Sequence, residues 1–292
     1  MSKLQWESLP PACVALVEKE TGTVVKAESA TGGLMPGLAA VVHAEHGRYF
    51  VKAAPVDSPA AHLYKREMAV GAALPASVPA PRMRLSFGEN GWLLMVFDFK
   101  DARDADLSPG SPDLDDMLSA LTTMSNVRAW DALSPVAVNV TALRDKAAAL
   151  LAAEPGGQPW KMYRAAIDGF DAAALTGDRL THYDLHPGNV KVSIVGDVAV
   201  VDWAFACAGA PWIDAALLVP RLIEAGHSAV AAERLISRMP GWRMAPAPAV
   251  TALAALWTMF REYKARYGPV DARPFREQAA TAGRSWLEYR MR

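Results

Sequence analysis

The segment from His182 to Asn189 constrains the fold of this chain more than any other feature. It reads His-Tyr-Asp-Leu-His-Pro-Gly-Asn, and two apolar runs follow it, Val190–Val195 and Val198–Val201. Gly196-Asp197 separates these runs and is a Gly-X pair typical of a two-residue β-hairpin turn. The hairpin ends in Asp202-Trp203. Core packing does not require so many polar side chains among apolar elements, so the pattern indicates a functional loop next to a short hairpin.

The residue types in this loop meet the chemical needs of phosphoryl transfer. A carboxylate accepts the hydroxyl proton of the acceptor, and an amide oxygen with a second carboxylate holds Mg²⁺ against the phosphates. Asp184 and Asn189 lie five positions apart, and Asp202 follows at the end of the hairpin. These three residues together predict a site for phosphoryl transfer.

The pattern resembles the aminoglycoside phosphotransferase family and, more widely, the kinase-like small-molecule phosphotransferases. The family segment His-x-Asp-x-x-x-x-Asn, followed by an apolar strand and Asp-Trp, is matched by His182, Asp184, Asn189 and Asp202-Trp203. The resemblance implies that Asp184 is the catalytic base and that Asn189 and Asp202 bind Mg²⁺. It also implies that His182 supports the loop structurally.

Two residues near the loop complete this comparison. Asp214, in Pro-Trp-Ile-Asp, resembles a family carboxylate that braces the catalytic loop through backbone hydrogen bonds. The family often has glycine where Tyr183 stands, so the contacts around the acceptor are expected to differ locally. The segment between Asp202 and Asp214 is too short for the activation loop of a protein kinase, which favours a small-molecule kinase.

The first hundred residues contain a candidate phosphate-binding pair. Lys52 ends an apolar strand, and Glu67 follows fifteen positions later in the predicted helix Pro59–Leu74. The resemblance implies that Lys52, held by Glu67, binds the α- and β-phosphates of ATP, with GTP as the alternative.

A glycine loop and a hinge complete the predicted nucleotide site. The loop contains Thr31, Gly32 and Gly33, whose backbone amides are predicted to cap the phosphates although the spacing is not Gly-x-Gly-x-x-Gly. Met95 and Phe97 belong to the strand that leads into the predicted hinge, where adenine would meet backbone groups.

The order of elements predicts an α+β chain that is rich in strands first and in helices later. The resemblance implies a bilobal protein-kinase-like fold, with a small β-rich nucleotide-binding lobe at 1–97 that has one helix, a hinge at about 95–100, and a larger, mainly helical lobe at 98–292. Asn90-Gly91 is a strong hairpin signal between two of the strands. The predicted strands are Thr23–Ser29, Leu38–Glu45, Arg48–Ala53, Arg82–Phe87 and Trp92–Phe97. The predicted later helices are Leu114–Met124, Thr141–Ala153, Ala165–Leu175, Ile213–Ile236, Thr251–Tyr267 and Pro274–Arg290.

Composition excludes several other classes of protein. Hydrophobic residues make up 52% of the chain, which is ample for a sizeable core. The net charge of −1 gives no sign of nucleic-acid binding. Two cysteines cannot form a disulfide framework, and the most apolar runs, Ala204–Pro220 and Thr251–Phe260, are too short or too charged to span a bilayer. We therefore expect a cytoplasmic protein without a membrane or nucleic-acid partner.

The sequence leaves the acceptor open. We expect a small hydroxylated molecule, either an aminoglycoside or another amino alcohol or sugar, with choline, homoserine or sugar amines as alternatives; antibiotic resistance is one possible role. His186, Asp101 and Asp104 are the candidate acceptor-side residues, because carboxylates there would attract a cationic acceptor. After Pro240, nine basic residues outnumber four acidic ones, and these are expected to form a solvated helix surface.

Two readings compete with the kinase. A scaffold protein that binds a nucleotide without catalysis would keep the same fold. A zinc hydrolase could use His182, Asp184 and His186 as ligands, but no histidine-rich segment follows to supply further ones, and this reading is disfavoured.

Overall fold

The structure is a computed structural model that describes residues 4–30, 36–153, 157 and 159–292. It divides into two compact units. Unit one consists of the chain up to Arg103 together with the later segment Ala199–Phe205. Unit two consists of Asp104–Val198 and Ala206–Arg292. Unit one is rich in strands and unit two is mainly helical, so the predicted α+β class is confirmed.

A five-stranded antiparallel sheet forms the centre of unit one, with the strand order β1-β2-β3-β5-β4. All five strands were expected at these places because apolar runs alternate there with turn residues, including Gly47 and Asn90-Gly91. The strands are β1 (Val24–Ser29), β2 (Leu38–Ala44), β3 (Gly47–Pro55), β4 (Met83–Phe87) and β5 (Trp92–Asp98).

Alternate residues of the sheet face two different apolar clusters. One cluster joins Val51, Ala53, Leu94 and Val96 to the helix α1 (Pro11–Thr21). The other joins residues of the opposite parity to the helix α2 (Ala61–Ala73), as expected for side chains that alternate across a strand. The sheet of unit one is therefore covered by a helix on each face. Members of the second cluster are Ala54, Ala60, Ala61, Tyr64, Leu93 and Met95.

The prediction of one helix in this part of the chain was incomplete, because α1 was missed. Its buried stripe consists of Cys13, Val17 and Thr21 only, and one of these is a threonine. A proline begins the helix, and Gly22 ends it with a φ of 79°. Helix boundaries of this kind are visible in a sequence, but so short an apolar stripe gives little periodic signal between them.

The segment Ala199–Phe205 is held within unit one by contacts to residues far away in sequence. The backbone N–H of Val200 donates to the carbonyl of Pro79 at 2.7 Å. The short 3₁₀ helix Trp203–Phe205 packs against α2, and the Arg66 guanidinium lies over the Phe205 ring at 5.9 Å. Asp202 is consequently fixed to the same unit as Lys52 and Glu67.

Unit two is built around α8, which packs against four other helices. These are α4, α5, α6 and α9, and the first and the last of them were predicted close to their observed positions. The helices are α3 (Asp113–Ser125), α4 (Ala137–Ala153), α5 (Trp160–Ile167), α6 (Ile213–Glu224), α7 (Ala229–Ile236), α8 (Ala247–Tyr267) and α9 (Arg273–Arg290). Short strands also occur beyond unit one's sheet, namely β6 (Ala102–Asp104), β7 (Arg179–Thr181), β8 (Val190–Ser193), β9 (Val198–Val200) and β10 (Cys207–Gly209).

Two predicted helices of unit two are interrupted. The helix expected at Ala165–Leu175 is α5 followed by a separate 3₁₀ turn, because Gly169 takes a φ of 67° between them. The helix expected at Ile213–Ile236 is α6 and α7, and the break lies at Gly226 with a φ of 107° rather than at Pro220. In the part of the chain that the structure describes, no helix is both long enough and apolar enough to cross a membrane.

Candidate active site

Lys52 and Glu67 form a buried ion pair in unit one. The Lys52 Nζ lies 2.6 Å and 2.8 Å from the two carboxylate oxygens of Glu67. Their side chains are 16% and 6% exposed, so both charges are largely shielded from water. Burial by itself lowers the pKa of Lys52, but the carboxylates of Glu67 and Asp202 outweigh it and raise that pKa above its usual range. The lysine therefore stays charged, as binding to phosphate requires.

Asp202 extends this cluster. Its Oδ1 lies 3.4 Å from the Lys52 Nζ, and its side chain is 41% exposed, so it remains accessible to a ligand. Its backbone has a φ of 65°, a left-handed conformation that is uncommon outside glycine. Strain of this kind persists where the surrounding structure enforces it, and it often marks functional sites.

The segment from His182 to Asn189, which we call the catalytic segment after its predicted role, lies in unit two and is organised by its own side chains. Pro187–Asn189 forms a 3₁₀ turn, and the Nδ1 of His186 accepts a hydrogen bond from the Gly188 N–H at 3.1 Å. The Nδ2 of Asn189, a buried residue, donates to the carbonyl of Asp184 at 2.9 Å. Because the amide nitrogen is used in this way, the amide oxygen of Asn189 is the atom left to bind a cation.

Asp214 braces the loop in the manner that the resemblance implies. The two oxygens of its buried carboxylate accept hydrogen bonds from the backbone N–H groups of His182 and Tyr183, both at 2.8 Å. Burial raises the pKa of Asp214, while His182 and these two hydrogen bonds oppose the rise. The Nδ1 of His182 in turn accepts from the Asp184 N–H at 3.3 Å. The buried pair His182 and Asp214 thus fixes the backbone that carries Asp184.

The backbone conformation at Tyr183 is one that glycine adopts easily, which accounts for the glycine that the family often has at this position. Its φ is 71°, in the left-handed region, where a glycine is free of steric cost. Burial raises the pKa of its hydroxyl, which has no hydrogen-bond partner among the described residues. The chain accepts a strained tyrosine at a place where glycine would be relaxed.

We predict that Asp214→Asn lowers the free energy of unfolding by about 1–3 kcal/mol, because an amide offers only one oxygen to two backbone donors. The loop should also lose its fixed conformation, so turnover should fall. Urea denaturation measures the first effect. The matched control is Asp145→Asn on the exposed face of α4, which should leave stability unchanged; equal stability of Asp214→Asn and wild type would contradict the bracing role.

The structure describes only two of the other residues that were predicted to bind the nucleotide, Met95 and Phe97. Thr31, Gly32 and Gly33 lie outside the described residues. Met95 and Phe97 are on β5, which has ladder partners on both sides, and Met95 is fully buried in the core. In a central strand the backbone groups are engaged by the neighbouring strands, so the first backbone groups beyond this ladder follow Asp98.

The candidate acceptor-side residues belong to both units. Asp101 belongs to unit one and pairs with Arg48 at 2.8 Å, while Asp104 belongs to unit two and forms an ion pair with Lys191. Only His186 lies within the catalytic segment. Burial lowers its pKa, as do Arg221, His182 and Arg261, while Asp184 opposes the shift.

Sequence reasoning missed two arginines near this segment. Arg221 on α6 and Arg261 on α8 both lie over the ring of Trp257, with their Cζ atoms 5.1 Å and 4.8 Å from its centre. Arg261 had been expected on a solvated helix surface, yet its Nε is buried. A count of basic residues does not indicate which helix face is covered, and that information comes only from the packing of α6 on α8.

The donor atoms fit the expected metal better than zinc. Among the described residues, no three His, Cys, Asp or Glu side chains converge on one point as a zinc site would require. Asn189 and Asp202 instead offer amide and carboxylate oxygens, the hard ligands that Mg²⁺ prefers.

Known proteins are similar to this chain over almost its full length. The family model that matches describes the phosphotransferase enzyme family and covers residues 38–279. An aminoglycoside phosphotransferase from Alicyclobacillus acidocaldarius has a similar fold, with a TM-score of 0.66, 16% identity, and coverage of 99% of this chain and 97% of that one. Choline kinase LicA from Streptococcus pneumoniae has a TM-score of 0.63 and 17% identity, with 92% and 97% of the two chains covered.

A third structure carries ligands. It is a thermostable mutant of aminoglycoside phosphotransferase APH(4)-Ia in a ternary complex with ADP and hygromycin B, with a TM-score of 0.60, 14% identity, and 94% and 98% of the two chains covered. A search of curated proteins gave no match. The kinase-like fold and the family resemblance of the catalytic segment are confirmed by the family match and these structures. The chain belongs to the phosphotransferase enzyme family and is a small-molecule kinase.

Proposed function

We propose that the protein transfers the γ-phosphoryl group of ATP to a hydroxyl of a small molecule, with Mg²⁺ as the metal. The oxygen of the acceptor hydroxyl forms a bond to the γ-phosphorus while Asp184 accepts the proton of that hydroxyl. The bond between the γ-phosphorus and the β-phosphate oxygen breaks, and ADP departs. The observation that carries the proposal is the conformation of the Asp184 segment, which is fixed by Asp214, His182 and Asn189.

Each unit supplies one part of the machinery in this proposal. Unit one binds the nucleotide, with Lys52 on the α- and β-phosphates and Glu67 holding the lysine in place. The glycine loop at 31–33 caps the phosphates, and adenine is bound close to Met95 and Phe97, by backbone groups that follow β5. Unit two binds the acceptor. Such an enzyme works mainly by positioning its reactants and by neutralising charge.

Asn189 and Asp202 are the residues that would hold Mg²⁺. Bound there, the ion would neutralise phosphate charge. The chain's own contribution is to present two oxygen ligands, one oriented through Asp184 and the other by the left-handed backbone at Asp202.

We expect calorimetric titration with ATP to show binding that depends on Mg²⁺ and is lost in Asp202→Asn. Asparagine tolerates the left-handed backbone, so the variant tests the charge rather than the conformation. Asp197→Asn, at an exposed hairpin turn, is the matched control and should bind ATP like the wild type.

Other results would overturn the nucleotide assignment. Failure of the wild type to bind either ATP or GTP would remove the kinase mechanism. Binding without phosphorylation of any acceptor would favour the scaffold alternative, and binding that Asp202→Asn leaves intact would remove Asp202 from the metal site.

A further inference from the structure

We propose that the acceptor carries an oxyanion, either a carboxylate or a phosphate ester, and that Arg261 and Arg221 bind this group beside Asp184. The inference rests on the proposed function and names the chemical class of its acceptor. Its basis is a pair of guanidinium groups in unit two, one of which has no counter-ion among the described residues.

Aromatic rings hold the two guanidinium groups in place. Arg221 and Arg261 approach the Trp257 ring from two different helices, and Arg261 also lies 5.7 Å from the centre of the Phe260 ring. Trp257 is itself 5% exposed, so it is a fixed platform. Arginines stacked in this way are well suited to bind carboxylate or phosphate with two parallel hydrogen bonds.

The charges of this cluster do not balance. Glu224 pairs with Arg221 through both of its oxygens, at 3.0 Å and 3.1 Å. Arg261 forms no hydrogen bond or ion pair with any residue of the described ranges, and its Nε is shielded from water without a partner. The neighbouring acid of α8, Glu262, is engaged by Tyr163 and Arg284. Arg261 therefore carries a partly buried positive charge that forms no ion pair within the described ranges.

The pKa of Arg261 also indicates that nearby positive charges exceed nearby negative ones. Burial, together with the positive charges of Arg221 and Arg276, lowers the pKa of Arg261 to about 9, and the carboxylates of Asp184 and Glu224 only partly oppose this shift. Arg261 is still positively charged at neutral pH. A bound anion would remove the electrostatic penalty that these groups impose on one another.

The helix α6 links the cluster to the segment that carries Asp184, because it contains both Arg221 and Asp214, whose carboxylate binds the backbone N–H groups of His182 and Tyr183. Asp184 is among the groups that shift Arg261, and both arginines lower the pKa of His186. Two further cations, Lys264 and Arg276, also interact with Arg261, while Glu224 is the other carboxylate that does so. A cationic acceptor would be repelled at such a place, whereas an anionic one would be oriented with its hydroxyl near Asp184.

A structural role accounts poorly for Arg261. An unpaired buried charge costs stability, and residues that carry such a cost are often retained for function. We therefore expect Arg261→Met, which keeps the stem and removes the charge, to have a melting temperature equal to or above that of the wild type. A role in holding α6 against α8 would predict a lower melting temperature.

Calorimetry with malonate and with inorganic sulfate tests the site directly, in buffer of low chloride concentration and without nucleotide. We expect saturable binding to the wild type that weakens by about tenfold or more in Arg261→Met, because the variant loses its charge-assisted hydrogen bonds to the anion. Arg261→Lys keeps the charge without the planar fork and should fall between the two. Arg243→Met, at an exposed position of unit two, is the matched control and should bind like the wild type.

Several outcomes would overturn the proposal. One is that the wild type binds neither anion with a Kd below about 10 mM. Another is that Arg261→Met binds an anion as tightly as the wild type does. If Arg261→Met does not fold, unchanged binding in Arg261→Lys has the same meaning. A preference for malonate indicates a carboxylate acceptor, and a preference for sulfate indicates a phosphate ester.

Matched acceptors then test the consequence for catalysis. Glycerate, glycerol 3-phosphate and glycerol share the group HOCH2–CHOH and differ at the remaining carbon, which belongs to a carboxylate or carries a phosphate ester or a hydroxyl; choline represents the cationic class. ADP release should be faster with an anionic member than with glycerol, and this advantage should be lost in Arg261→Met. Turnover of choline with no advantage for either anion would overturn the inference while leaving the proposed kinase intact. Anion binding without any ATP binding would overturn the kinase and leave the anion site.

Discussion

Replacing Asp184 by asparagine is expected to slow phosphoryl transfer by about 10²–10⁴-fold, because the variant cannot accept the proton of the acceptor hydroxyl. The carboxylate of Asp184 makes no hydrogen bond or ion pair within the described part of the chain, and only its backbone N–H and carbonyl support the loop. The substitution should therefore leave the fold and the binding of ATP close to those of the wild type. Steady-state turnover and calorimetric titration measure the two effects separately.

The control for this experiment is Asp145→Asn, which changes the same residue type on an exposed face of α4. It should retain full turnover. An Asp184→Asn variant that keeps most of its activity would show that another group is the base. A variant that loses ATP binding to the same extent as turnover would instead place Asp184 in the nucleotide site.

Replacing Lys52 by methionine is expected to lower the free energy of unfolding by about 3–5 kcal/mol and to abolish ATP binding. The stability is lost because Glu67, which is 6% exposed on its side chain, would remain buried without its cation. The ammonium of Lys52 opposes the rise that burial causes in the pKa of Glu67, so its removal lets that pKa rise further. Urea denaturation and calorimetry measure the two losses.

The double variant Lys52→Met/Glu67→Gln separates stability from function. It removes both buried charges, so most of the lost stability should return, whereas ATP binding should not. Lys26→Met is the control, since Lys26 pairs with Glu28 on the exposed edge of the same sheet and should leave stability unchanged. If the double variant is as unstable as Lys52→Met alone, the ion pair is not the source of the effect.

Much of the strand-rich unit could be predicted from the sequence because its signals are local. Gly47 and Asn90-Gly91 mark two turns, and apolar runs of strand length flank them. The helix α1 was missed because its buried stripe is only three residues long. The helix predicted at Ile213–Ile236 continues too far because Gly226, with a φ of 107°, takes a conformation that separates α6 from α7.

The site was predictable to the extent that its residues share one segment or follow the order of a known family. A 2.9 Å hydrogen bond from the side chain of Asn189 to the backbone carbonyl of Asp184 joins these two residues, as their spacing allows. The 3.4 Å contact between Asp202 and Lys52 depends on how the chain returns to the first sheet, and spacing does not give that path. Arg261 could not be predicted as a site residue, because its burial depends on the packing of a distant helix.

Because Ala199–Phe205 packs as part of unit one, this unit cannot fold completely until late in synthesis. When the first hundred residues have left the ribosome, all five strands of the sheet are available, but Asp202 and the 3₁₀ helix Trp203–Phe205 that packs on α2 are not. Domains of many proteins fold in order from the amino terminus during synthesis. Here the amino-terminal unit is completed only after the catalytic loop has also emerged, so a chain arrested at Arg103 would expose the face of α2 that Trp203–Phe205 covers. A gene split at that point should yield two fragments that each depend on the other's sequence, and neither fragment would contain both Lys52 and Asp202.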